Sequence, residues 1–185
     1  KNLSLYAHTK MTPMYRLGKY KATDSMSDLV SQHYRMLLVM SRFGISLGFG
    51  DKTIVEVCRE NEVDTQTFLT VVNLLLDEDG LVNFSPASIS LESLLNYLHN
   101  SHEYFLSFRL PAIRDELEKV VGNADDLSKA IVRYFDEYVS AVRKHMNYEE
   151  DTVFPYVRRL LKGECTDEYN IGIFRKQHDQ VEARL

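Results

Sequence analysis

His145 and Glu149 stand four residues apart in a stretch with helical character, His145-Met146-Asn147-Tyr148-Glu149-Glu150. On an α-helix that spacing puts two side chains on one face, a turn apart. An imidazole and a carboxylate so placed can point together at one metal ion. Two more histidines lie on predicted helices to either side: His102 in Ser101-His102-Glu103-Tyr104-Phe105, and His178 in Lys176-Gln177-His178-Asp179-Gln180. Imidazoles and carboxylates gathered from several helices of a bundle are how proteins hold paired non-haem iron or manganese.

Taken alone, a His-x-x-x-Glu pair is equally a solvated contact between helix neighbours. The surroundings favour more. Tyr138, Val142 and Phe154 fall on or near the core side of the same helix, and Arg143, Lys144, Arg158 and Arg159 fall on its outer face. His145 and Glu149 then lie beside the apolar stripe, where an unpaired carboxylate is costly and a metal would compensate it. Glu150 competes with Glu149, but it lies five residues from His145, about 140° further round the helix, and faces a shared metal poorly. His99 and His102 are three apart and share a face, so spacing does not choose between them. His33, beside Gln32 and Tyr34, reads as structural, and His8 as a residue of a polar arm without a role. Asp179 is expected to face solvent, or at most to support His178 from outside the ligand shell.

The elements that must position these residues are all helical. Residues 1–23, with Pro13 and several lysines, read as a polar arm. A small helical domain spans 24–80. A helix from Met26 carries Leu29, Val30, Tyr34, Leu37, Leu38 and Met40 at helical spacing and stops near Phe43-Gly44. Thr53 caps a helix with Ile54, Val57 and Cys58, and Asp64 or Thr65 caps another with Phe68, Val71, Val72, Leu74 and Leu75. Residues 81–90, with Pro86, read as a linker. Residues 91–185 then form an up-down bundle. One long helix runs from Leu91 to Val121 with a kink expected at Pro111. A second runs from Asp126 to Leu161 with another at Pro155, and a third begins at Thr166-Asp167. The third is still running at Leu185 without a cap signal. The fold class is therefore all-α, and the bundle is expected to be truncated at its C-terminal end, short of a fourth helix.

Bulk properties exclude several classes. In 185 residues, 44% hydrophobic and 26% charged, there is enough apolar material for a buried core. A net charge of −5 argues against a mainly electrostatic nucleic-acid binder. No apolar run approaches the roughly 18–20 residues that span a membrane, and none follows Lys1-Asn2-Leu3-Ser4 as a signal core. Cys58 and Cys165 lie far apart and form no CxxC pair, so a disulfide framework is not expected and a reducing cytoplasmic setting is.

The chain also resembles a known family. His145-Met146-x-x-Glu149-Glu150-x-x-Val153-Phe154-Pro155 resembles the His-x-x-x-Glu-Glu-x-x-Leu/Phe-Pro stretch of hemerythrin-like proteins, four-helix bundles with a non-haem di-iron centre. Leu98-His99-Asn100-Ser101-His102 through Arg109-Leu110-Pro111 resembles the first-helix segment, where a ligand histidine stands nine residues before a Leu-Pro proline. The resemblance selects His102 over His99. Gln177-His178-Asp179 resembles the third-helix ligand segment. It covers about Leu91 to Leu185 and implies His102, His145 and His178 as terminal ligands, Glu149 as a bridging carboxylate, and iron as the metal. The family's fourth helix supplies another His-x-x-x-Glu, so this ligand set is incomplete.

Tyr34 to Phe43-Gly44-Ile45, then Thr53-Ile54-x-x-Val57-Cys58, resembles the small domain of repair-of-iron-centres proteins, which restore iron–sulfur clusters after nitric oxide or oxidative damage. The adjacent cysteines usual in that turn are replaced by Gly48-Phe49. The resemblance implies iron–sulfur client proteins and the small gases O2 or NO as partners. An exposed apolar seam on a three-helix remnant would favour association with a second copy.

Two other readings use the same residues differently. One is an O2- or NO-binding sensor without turnover, on the same ligands. The other is a metal-free structural or DNA-binding regulatory module: residues 53–76 have a helix-turn-helix rhythm, but Thr65 to Leu76 contains no Lys or Arg for phosphate or base contacts.

Overall fold

The computed structural model describes residues 20–77, 88–122, 125–164, 171, 172 and 174. Most of the expected N-terminal arm, most of the linker, Cys165, the start of the third bundle helix, His178 and Asp179 lie outside the described residues. All regular elements among the described residues are helical. None is long and apolar enough to cross a membrane. The chain divides into two compact units, Lys1–Ser90 and Leu91–Leu185.

Among the described residues, the first unit has four α-helices: α1 Met26–Gln32, α2 Met36–Arg42, α3 Ile54–Glu60 and α4 Thr65–Leu75. Capping chemistry sets the starts of α1, α3 and α4. Ser25 accepts from the Asp28 amide ahead of α1. At α3 the Glu56 carboxylate reaches back to the Thr53 amide at 2.8 Å and its hydroxyl at 2.6 Å. Those hydrogen bonds hold the Glu56 carboxyl below the usual range. At α4 one Asp64 oxygen accepts from the Thr67 amide at 2.8 Å and hydroxyl at 2.6 Å. The caps of α1 and α3 also pair with each other, Ser25 against Thr53 in an antiparallel bridge. Met26, Leu29, Met40, Ile54, Val57, Cys58, Phe68 and Val72 fill the core, and Phe43 meets Phe68 edge-on at 5.4 Å. Burial pushes the Cys58 thiol up to about 11, so this cysteine is an inert packing residue at neutral pH.

Two expectations for this unit need correction. The single helix from Met26 to Phe43 is two helices, with a break at His33–Arg35. Neither Gly nor Pro marks the break. It coincides with tertiary contacts instead: Tyr20 meets the His33 ring edge-on at 5.8 Å and its hydroxyl donates to Gln32 at 3.0 Å. As a result Tyr34, Leu37 and Leu38, expected on the apolar stripe, are exposed. The polar arm also ends earlier than residue 23. Tyr20 is buried, its amide donates to Asn73 Oδ1 at 2.7 Å, and its carbonyl accepts from Asn73 Nδ2 at 3.0 Å.

The second unit begins with two long antiparallel helical rods. The first consists of α5 Leu91–Tyr104, a π stretch Phe105–Arg109, and α6 Leu110–Val121. The second consists of α7 Asp126–Tyr148, a π stretch Glu149–Val153, and α8 Phe154–Leu161. Gly122, at φ 65°, ends the first rod, and Asp125 caps the second through the Ser128 amide. Just before Pro111 and Pro155, where kinks were expected, each rod carries one of these π stretches, and helix resumes after it. Proline lacks an amide proton, and its ring crowds the carbonyl four residues back. A wider turn relieves that crowding, and the bonds Leu110 N–H to Phe105 O and Phe154 N–H to Glu149 O span five residues just before each proline.

Cross-rod contacts fix an antiparallel register. Arg158 donates to Glu92 at 3.2 Å and Asn96 at 3.3 Å near one end. Arg114 donates to both oxygens of Asp136, at 2.7 and 3.1 Å, near the other. Between them Leu95, Val153 and Phe154 form a buried cluster with Leu98, Tyr148 and Val157 against it. This register carries His102 to the level of Glu149.

Candidate metal centre

Glu149, the first residue of the second π stretch, is only 9% exposed. Its Oε2 lies 3.1 Å from His102 Nε2 on the facing rod. Its Oε1 lies 3.4 Å from His145 Nε2, one turn earlier on its own rod. The two oxygens of one buried carboxylate therefore face imidazoles from different helices. His102 is 7% exposed, and its ring stacks on Phe154, with centroids 5.6 Å apart and planes 12° apart.

Glu150 engages the same histidine from the other side. Its Oε1 is 2.7 Å from His102 Nδ1, and its Oε2 is 3.0 Å from His99 Nδ1. Consecutive carboxylates thus grip opposite nitrogens of one ring. Burial pulls His102 toward neutrality, but the hydrogen bonds and charges of Glu149 and Glu150 together outweigh it and hold its pKa above the ordinary histidine value.

The donor chemistry fits a divalent transition ion. With metal–ligand bonds of about 2.1 Å, neighbouring donors in a tetrahedral or octahedral shell sit about 3.0–3.4 Å apart. The two Nε2–oxygen contacts of Glu149 fall in that range. The set is partial: among the described residues, no group of three or more His, Cys, Asp and Glu is arranged to hold a metal by itself. The structure thus brings His102, His145 and Glu149 together, while His178 lies outside the described residues.

Sequence reasoning missed Glu150 and His99 as members of the cluster. Glu150 does lie away from the Nε2 side, as its helical angle implies, but it reaches the opposite ring nitrogen. The available signals were the Glu149-Glu150 doublet and the three-residue spacing of His99 and His102. Neither reveals that both carboxylates converge on one ring.

No solved structure matches the chain. Residues 93–185 match the hemerythrin HHE cation-binding domain, and with half its length inside that match the chain belongs to the hemerythrin family.

Proposed function

We propose that this protein is a non-haem di-iron protein that acts in iron–sulfur cluster repair or in the response to nitrosative and oxidative stress. His102, His145 and His178 are its terminal ligands and Glu149 is its bridging carboxylate. The observation that carries this reading is Glu149, whose two oxygens face the Nε2 atoms of His102 and His145. A carboxylate so placed can share itself between two cations. Iron held there supplies a one-electron couple and an exchangeable coordination position for O2 or NO.

The chain's own residues set the conditions for that chemistry. Glu149 brings negative charge into a site where an unneutralised carboxylate is costly. Phe154 covers one face of His102 and excludes water from it. Both imidazoles must be neutral to ligate, so binding at His102 displaces a proton that Glu149 and Glu150 stabilise. Support for repair, over simple gas binding, comes from the resemblance of the Tyr34–Cys58 region to repair-of-iron-centres proteins. Gly48-Phe49 in place of their cysteines argues that any transfer chemistry resides in the iron centre and not in thiols of the small unit.

The test is anaerobic reconstitution with Fe(II), followed by oxidation and an optical spectrum. About two irons per chain with charge-transfer bands is the expected result. The iron-loaded protein, added to an iron–sulfur protein damaged by nitric oxide, should restore the client's activity. Stable, reversible gas binding without recovery of the client would favour the sensor reading instead.

A further inference from the structure

We propose that Glu150 is the positioning carboxylate of this centre: it holds the His102 ring by Nδ1, so that Nε2 is the nitrogen presented to Glu149 and to a metal ion. The inference rests on the reading of His102 as a ligand. A neutral imidazole carries one proton, and the acceptor at one nitrogen decides which nitrogen keeps the lone pair for a metal. Glu150 Oε1 lies 2.7 Å from Nδ1, closer than Glu149 Oε2 lies to Nε2 at 3.1 Å. The proton therefore belongs on Nδ1 and the lone pair on Nε2.

Orientation needs the same contact. Stacking on Phe154 fixes the plane of the ring, but a half-turn about the Cβ–Cγ bond leaves that plane unchanged. The flip exchanges nitrogen for carbon at both contact positions and would present Cε1 to Glu149. Only the observed, unflipped ring gives Glu150 a nitrogen to bind. Glu150 is itself anchored, because its other oxygen meets His99 Nδ1 at 3.0 Å on the rod that carries His102. Both carboxylates lie in the π stretch Glu149–Val153. Glu150 never needs to touch the metal.

The test uses the full chain, 15N-labelled, with zinc as a diamagnetic probe. In the metal-free protein at alkaline pH, long-range 1H–15N correlations should show His102 protonated at Nδ1 and bare at Nε2. Glu150→Ala should move that proton to Nε2, where Glu149 is the remaining acceptor, and weaken zinc binding about 10- to 100-fold. Glu150→Gln, whose amide oxygen still accepts from Nδ1–H, should recover the wild-type tautomer and most of the affinity. If Glu150→Ala fails to fold by circular dichroism, His99→Ala removes the second anchor at a half-exposed position and should show the same changes in weaker form. An unchanged His102 tautomer, or unchanged zinc affinity, in Glu150→Ala (or in His99→Ala where that variant does not fold) overturns the proposal while leaving His102 a ligand. A wild-type protein that takes up no zinc overturns the ligand reading, and the tautomer measurement then decides the positioning role alone.

Discussion

At the residue scale, His102 is held between two carboxylates, and under the proposed ligation a metal would compete with a proton for it. Its raised pKa reflects Glu149 and Glu150 overcoming burial. In the metal-free protein, a pKa higher in the folded than in the unfolded state means stabilisation that is full below the unfolded value. It is lost as pH rises through the raised folded value. Metal binding runs the other way. Below the raised pKa each pH unit should cost about tenfold in apparent affinity for every proton displaced, which zinc titrations across the acidic range will show. Removing one acid should release the proton: Glu149→Gln is expected to lower the His102 pKa, readable by NMR titration. The pairing of His145 with Glu149 was legible because a spacing of four residues puts both side chains on one helical face, whereas His102 was singled out over His99 only by the family resemblance. Glu150 was not legible, because its contact depends on the other nitrogen of a ring from a distant segment.

At the scale of elements, each of the two bundle prolines follows a π stretch, and the second of these carries Glu149 and Glu150. Pro155 follows a π stretch that begins at Glu149. In Pro155→Ala the amide returns and the crowding that favours the wide turn disappears. Helicity should be kept or increased, while the register of Glu149 and Glu150 against His102 changes and zinc affinity falls. Unchanged affinity with unchanged helicity would separate the π stretch from the site. Caps offer a second test. Asp64→Ala removes the acceptor for both Thr67 bonds and should cost about 1 kcal/mol of stability, measured by urea denaturation. Helix starts such as Thr53 and Asp64 were readable because capping is local chemistry. The break at His33 was not, because it coincides with contacts from Tyr20, more than ten residues away. A proline likewise announces a disturbance without saying whether the helix will bend or widen.

At the scale of the molecule, two compact units divide the work. The first holds its core with residues such as Phe68 and Ile54 and offers a buried, inert Cys58. The second carries the candidate centre. Ligand binding stabilises only the state that binds, by about 2.7 kcal/mol at a free concentration a hundred times the dissociation constant. Zinc or Fe(II) should therefore raise the melting transition of the second unit and leave that of the first in place, with EDTA reversing the shift. Phe68→Ala should do the opposite, lowering the first transition, with a cost of about 3–5 kcal/mol, and leaving metal affinity unchanged. The all-α class was legible from apolar periodicity throughout. The division of labour was legible only through the clustering of His and Glu after Leu91.

The central claim is that Glu149 joins His102 and His145 in one metal centre. It is tested most directly by counting iron per chain in wild-type and Glu149→Ala proteins after identical anaerobic reconstitution and desalting, with circular dichroism alongside. Bound iron is expected in the wild type, with loss of nearly all of it in the variant and matching helicity in the two. Equal iron in both proteins would contradict the claim.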